Sequence, residues 1–332
     1  MHTIASRVAC DCVRPPGLRG RRWRSYDAAV SDQGTHRAGL GYAVAAFMLW
    51  GLFPIYWKLL QTIPALEVVA HRTFWSFVAL AAWITFRRRW ADVRAVAARG
   101  RTVAALAGSA ALISVNWLLY IWAVINDHMV EASLGYYINP LVNVVLGIIV
   151  LRERLSRPQL IAVTLAGIGV ATLTLGYGRF PWIALTLAVS FGLYGLVRKT
   201  VRADAITGLF TETAILTPLA GGFIAVLAAR GAGGLGSGAL VSTLLVLGGP
   251  VTALPLALFA HGARRLPLST VGLIQYIAPS LQFLIAVFVY REPFTAAHAV
   301  TFACIWLALG LMTWDLTTRL RVVRVAVDAA SG

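Results

Sequence analysis

Three ionisable side chains stand inside otherwise apolar runs: His71 and Arg72 in Leu66–Phe86, and Glu212 in Ala205–Ala229. Each needs a reason, because an ionisable group in an apolar phase costs about 2.5–3.5 kcal/mol on insertion scales. An imidazole titrates near neutral pH, and a carboxyl group can likewise take up and release a proton. His71 and Glu212 are therefore proton-coupling candidates. Arg72 offers a fixed positive charge that suits an anionic group of a bound molecule, or that could neutralise Glu212. A structural ion pair between helices is an equally weighted alternative. Glu67, one turn before His71 and near the end of its run, is expected to be interfacial.

Polar side chains also recur at helical spacing. Tyr136, Asn139 and Asn143 share a face of Val130–Leu151, Gln275 and Gln282 share one of Leu268–Tyr290, and Asn116 and Tyr120 lie one turn apart in Val103–Val124. Pro140 and Pro279 stand at matching places as expected helix breaks. Such stripes suit the walls of a substrate cavity, although amides also glue helices together; recurrence in two places favours the cavity. Trp50 and Tyr194 are deep enough to line it for flat or cationic compounds. Trp57 and His261 fall where an interfacial belt is expected.

Other chemistry is poorly supplied. Cys10, Cys12 and Cys304 lack metal-ligand spacing. The glycine-rich run 233–238 reads as a flexible loop without the Lys-Ser/Thr of a phosphate-binding loop, and no zinc or nucleophile-elbow motif occurs. No metal, cofactor or enzymatic activity is expected.

The elements that must position these residues follow from composition. Of 332 residues, 59% are hydrophobic and only 13% charged, with a mean hydropathy of +0.76. Apolar stretches near the length that spans about 30 Å of hydrocarbon follow one another: Gly39–Trp57, Leu66–Phe86, Val103–Val124, Val130–Leu151, Gln159–Leu175, Pro181–Val197, Ala205–Ala229, Leu240–Gly262, Leu268–Tyr290 and Ala296–Trp314. The pattern predicts an all-α integral membrane protein with ten transmembrane helices. The net charge of +16 sits in short clusters between spans, which argues for loop placement rather than nucleic-acid binding. With the N-terminus inside, 24 of the 29 Lys and Arg fall on inner segments, four on outer ones, and Arg72 within a span. Both termini are thus expected to be cytoplasmic. Residues 1–37 read as a basic disordered tail and 317–332 as a cytoplasmic C-terminal tail.

The chain also repeats itself. An offset of 139 aligns Tyr137 with Tyr276, Pro140 with Pro279 and Arg152-Glu153 with Arg291-Glu292. An offset of 141 aligns Trp50-Gly51-Leu52-Phe53 with Phe191-Gly192-Leu193-Tyr194, Lys58 with Lys199, and His71 with Glu212. Two five-helix units result, 38–176 and 177–316. Because five is odd, the second must enter the membrane from the opposite side, making the repeats inverted. Transporters of alternating access are often built so, with the substrate near the midplane.

At several of these places the chain resembles the EamA family of the drug/metabolite transporter superfamily, and within it the RarD group. The similar stretches are Leu-Trp-Gly-Leu-Phe-Pro-Ile-Tyr-Trp-Lys (49–58), Ala-His-Arg-Thr-Phe-Trp-Ser (70–76), Asn-Trp-Leu-Leu-Tyr-Ile-Trp-Ala-Val (116–124), Ser-Leu-Gly-Tyr-Tyr-Ile-Asn-Pro-Leu-Val-Asn (133–143), Tyr-Gly-Leu-Val-Arg-Lys (194–199) and Leu-Gln-Phe (281–283). The resemblance implies a ten-helix transporter of the bacterial inner membrane without ATP-binding parts. A small-molecule substrate, protons and the lipid bilayer are the expected partners; a homodimer is left open. A membrane-embedded enzyme, a channel and a non-transporting sensor are the competing readings.

Overall fold

The structure is a computed structural model that describes residues 21–151, 157–177, 180–201, 203–263, 265–266 and 274–331. Cys10, Cys12, Arg152 and Glu153 lie outside them. The described residues are helical, with connecting turns. In chain order the helices are α1 (Arg21–Lys58), α2 (Ala65–Phe86), α3 (Trp90–Ala97), α4 (Gly100–Ile125), α5 (Met129–Leu151), α6 (Arg157–Tyr177), α7 (Trp182–Thr200), α8 (Ala205–Ala229), α9 (Ala239–Ala263), α10 (Ile277–Leu284) and α11 (Ala296–Ser331). A π turn, Ile285–Val289, continues α10.

Among the described residues, seven stretches are long and apolar enough to cross a membrane, in α1, α2, α4, α6, α8, α9 and α11. Shorter apolar helices occupy Trp182–Arg198 and Ile277–Val289. The described part of the first helix starts at Arg21, upstream of the apolar span, and continues to Lys58 with Pro54 inside it. At the other end α11 extends past the apolar span to Ser331. The short α3 between α2 and α4 was not predicted, since eight residues carry too little periodicity to stand out.

Large apolar side chains face outward, with Phe86, Leu175, Leu219 and Phe288 mostly exposed. An apolar exterior of this extent suits hydrocarbon rather than water. Inside, α2 packs on α8 and α9, α5 on α7, α1 on α9 and α10, α4 on α7 and α8, and α6 on α11. Small residues let backbones meet where no hydrophobic effect drives helices together. At Gly249 of α9, a Cβ would lie 2.2 Å from the carbonyl carbon of Trp75 in α2. The packed centre gathers Phe53, Trp57, Tyr120, Tyr137 and Phe302. Pro140 does not break α5, which runs through it; Pro279 occupies the first turn of α10, where a missing N–H is harmless.

The two ends of the bundle are tied differently. At one end Asp204 caps α8, accepting from the backbone N–H of Ile206 (3.0 Å) and Thr207 (3.2 Å) and from the Thr207 hydroxyl (2.7 Å). Arg89, following α2, pairs with the same carboxylate at 2.8 Å. Partial burial works against the Asp204 charge, but the Thr207 bonds and Arg89 outweigh it and hold the group below its ordinary range. At the opposite end Lys58 reaches the carbonyls of Val124 and Ile125, both 3.3 Å away, and pairs with Asp127. A cation at the last carbonyls of α4 complements the helix dipole. Nearby, Glu292 accepts from the first N–H groups of α5, Met129 (2.8 Å) and Val130 (2.7 Å). Burial pushes the Glu292 carboxyl above its usual range, with those N–H bonds offsetting part of the rise.

Candidate functional site

Glu212 lies in α8 two turns beyond the Asp204 cap, about 12 Å along the axis at 1.5 Å per residue, and is 1% exposed. Its oxygens face hydrogens on three sides. The Ser109 hydroxyl from α4 donates at 2.5 Å, the Tyr194 hydroxyl from α7 at 3.4 Å, and Nη1 of Arg198 lies 3.7 Å away. Arg198 is one of the basic residues counted on the inner segments. Its guanidinium turns back, Nη2 touching the carbonyls of Asp204 (3.4 Å) and Ala205 (3.3 Å). Gly208, one turn before Glu212, makes this path available: a Cβ there would sit 1.8 Å from Arg198 Nη1. The counter-ion of Glu212 is therefore Arg198, and the expectation that Arg72 fills that role is corrected.

Arg72 instead lies against aromatic rings. Its guanidinium carbon is 4.0 Å from the Trp117 ring centroid, and Tyr136 and Tyr194 are close enough to feel its charge. Among the described residues no carboxylate comes within ion-pair distance of it. Asn116, next to Trp117, donates to the Leu187 carbonyl and the Ser190 hydroxyl of α7, both at 2.9 Å. It accepts from the Tyr136 hydroxyl at 3.3 Å. Tyr120 meets Tyr136 edge-on at 5.6 Å. Asn143 donates to Asn139 (3.0 Å), which donates to the Ala188 carbonyl of α7 (3.3 Å). So Arg72, Asn116, Tyr120, Tyr136, Tyr194 and Glu212 form one connected group, with Asn139 and Asn143 prolonging it along the α5–α7 seam.

The remaining expected residues lie apart from it. Gln282 is buried and donates to the Trp50 carbonyl of α1 at 3.1 Å. Trp50 packs on Phe47 and Phe259. Gln275 sits in the turn before α10. His71 is 1% exposed, with Nε2 3.8 Å from Glu67. Glu67 is not interfacial: it is 2% exposed and accepts from the Gly234 N–H at 2.5 Å. The 233–238 loop covers it. Nor is Trp57 an interfacial anchor, since it is fully buried against Phe53 and Trp117.

Comparison with known proteins gives the family. Residues 37–175 match the EamA-like transporter family. The uncharacterized transporter YojE of Bacillus subtilis (strain 168) is 48% identical over 283 residues, covering 84% of this chain and 94% of that protein. The chain belongs to the EamA-like transporter family. Protein RarD of Escherichia coli (strain K12) is 45% identical over 280 residues, 84% of this chain and 95% of its own. A crystal structure with 17% identity aligns over 83% of this chain and 97% of its own at a TM-score of 0.51, a likeness of fold alone.

Within this EamA-like chain, sequence reading missed Ser109, Trp117, Ser190, Arg198 and Gly208. Ser109 and Ser190 are common residues in apolar helices and carry no signal of their own. Gly208 one turn before Glu212, with an arginine just upstream of the same helix, was the legible clue.

Proposed function

We propose that this chain is a secondary transporter of the drug/metabolite superfamily that moves a small organic molecule by alternating access, with Glu212 as proton carrier. Ten spans form two inverted repeats: α1, α2, α4, α5 and α6, then α7, α8, α9, α10 with its π turn, and α11. The packing is the observation that carries this reading. Exchanging each helix for its counterpart returns the most extensive packings: α5 on α7 becomes α10 on α1, α1 on α9 becomes α7 on α4, and α2 on α9 becomes α8 on α4. The contacts α2–α8, α5–α10 and α6–α11 map onto themselves. A bundle related to itself in this way has two equivalent packings, each exposing a midplane site to one side. The Lys58–Asp127 end faces outward and the Arg89–Asp204 end faces the cytoplasm, with both termini there, in a bacterial inner membrane.

Glu212 suits the coupling step because its neighbours are all donors. A proton added to the carboxyl brings one more hydrogen to a site already supplied by Ser109, Tyr194 and Arg198. At least one contact must then yield, which links protonation to the packing of α4, α7 and α8. His71, paired with Glu67 on the outward side, is the second proton-coupling candidate.

The test is flux in proteoliposomes under an imposed pH gradient, with compounds chosen by profiling metabolites of cells with and without the gene. Wild-type protein moves at least one compound in response to the gradient, and Glu212→Gln abolishes that response. If no compound and no proton moves under any gradient, the transporter reading fails. Gradient-driven flux retained in Glu212→Gln removes only the proton-carrier assignment.

A further inference from the structure

Among the described residues no carboxylate pairs with the charge of Arg72. Glu212 is held by Arg198, Ser109 and Tyr194, and Glu67 by Gly234 and His71. Buried arginines elsewhere pair with acids or carbonyls. Here the residue is 8% exposed, and its Nε has no hydrogen-bond partner among the described residues.

Two further buried donors share this condition and the same neighbour. The Trp57 Nε1–H and the Tyr120 hydroxyl also lack partners among the described residues, at 0% and 1% exposure. All three side chains pack on Trp117: Arg72 at 4.0 Å, Tyr120 at 5.7 Å and Trp57 at 6.3 Å. Buried polar groups are ordinarily satisfied, and unsatisfied ones call for an explanation. Three donors and one net positive charge in a cluster of rings call for an acceptor with one negative charge.

We propose that Arg72, Trp57 and Tyr120 bind the carboxylate of a small organic anion whose flat apolar body lies against Trp117 and Tyr136. This names the substrate class of the transport site and rests on the transporter reading. The carboxylate accepts from the guanidinium, the indole and the phenol, while the rings receive the part of the molecule that water solvates poorly. An organic cation is repelled by Arg72, and a neutral amide of the same shape forgoes the charge-assisted bonds.

Binding of benzoate, benzamide and benzylammonium to purified full-length protein in nanodiscs, followed by calorimetry, tests this without requiring transport. Wild-type protein binds benzoate at least about tenfold more tightly than benzamide, the difference expected for one hydrogen bond to a charged group, and does not bind benzylammonium. Arg72→Gln binds benzoate no better than benzamide. Tyr120→Phe, which removes one hydroxyl and keeps the ring, weakens benzoate alone by a few fold, and guards against misreading a misfolded Arg72 variant. Equal affinity for benzoate and benzamide, preference for benzylammonium, or no saturable benzoate binding up to about 10 mM overturns the proposal. Benzoate binding that survives while no flux is found in liposomes sinks the transporter reading and leaves this anion site standing.

Discussion

Two arginines of this protein, Arg72 buried and Arg198 half-buried, do opposite things. Arg198 stands at the end of α7, reaches over Gly208 and meets Glu212 at 3.7 Å. Arg72 stands within α2, meets no carboxylate among the described residues, and stacks on Trp117. The first is one half of a pair, so its removal strands a buried charge. The second has no carboxylate partner among the described residues, so its removal strands no charge. Burial alone therefore says little about what an intramembrane charge is for, whereas its partners distinguish a structural charge from one that awaits a ligand.

The largest effect expected is for Arg198→Met. Breaking a buried pair leaves an uncompensated carboxylate and typically costs about 3–5 kcal/mol, and the partly exposed guanidinium brings the expected loss to about 2–3 kcal/mol. Reversible unfolding in detergent reads it directly. Gly208→Ala follows, because its methyl group would collide with Arg198 and drive it from Glu212, at about 1–2 kcal/mol. The comparison sharpens if Arg198→Met with Gly208→Ala is no less stable than Arg198→Met alone, since both act through one contact.

Asp204→Ala removes the cap of α8 and its link to Arg89, with an expected loss of about 1 kcal/mol near neutral pH. The folded carboxyl titrates below its ordinary range, so the cap's contribution is complete above about pH 4, the value for an unperturbed aspartate. It is lost as the pH falls through the lowered value, and the gap between wild type and Asp204→Ala closes on acidification. A gap that widens in acid contradicts this assignment. The smallest effect on stability belongs to Arg72→Met, within about 0.5 kcal/mol of wild type, because relief of a desolvated charge offsets the lost stacking on Trp117. A loss comparable to that of Arg198→Met would erase the contrast between the two arginines.

Much of the helical layout was legible in hydropathy. The expected span Ala205–Ala229 coincides with α8, and Leu66–Phe86 differs from α2 by one residue, because long apolar runs with clear Asp or Pro starts leave little choice. The π turn at Ile285–Val289 was not legible, since its register depends on where Tyr290 and Glu292 find carbonyls: Ile285 at 3.0 Å and Ala286 at 3.0 Å. The candidate site was legible as residue types and not as pairs. Arg72, Asn116, Tyr120, Tyr136, Tyr194 and Glu212 do meet, but Arg198 displaced Arg72 as the ion-pair partner. A long guanidinium can fold back from a helix end, and spacing along the chain cannot say which carboxylate it will reach. Glu67 was misplaced for a related reason. Its burial depends on Gly234, which is far away in sequence and near only once the 233–238 loop closes over α2.

The central claim is that one bundle opens alternately at its two ends. Its most direct test is a pair of spin-label distances in nanodiscs, one between positions 126 and 291 at the Lys58 end and one between 91 and 200 at the Arg89 end, on a background with the three native cysteines replaced. Both distances are recorded at about pH 5 and about pH 8, on either side of the range in which imidazole ordinarily titrates. The account predicts two populations at each end that exchange in opposite senses, one distance lengthening as the other shortens, with the response to pH lost in Glu212→Gln. A single fixed distance at both ends, or two ends that open together, would contradict it.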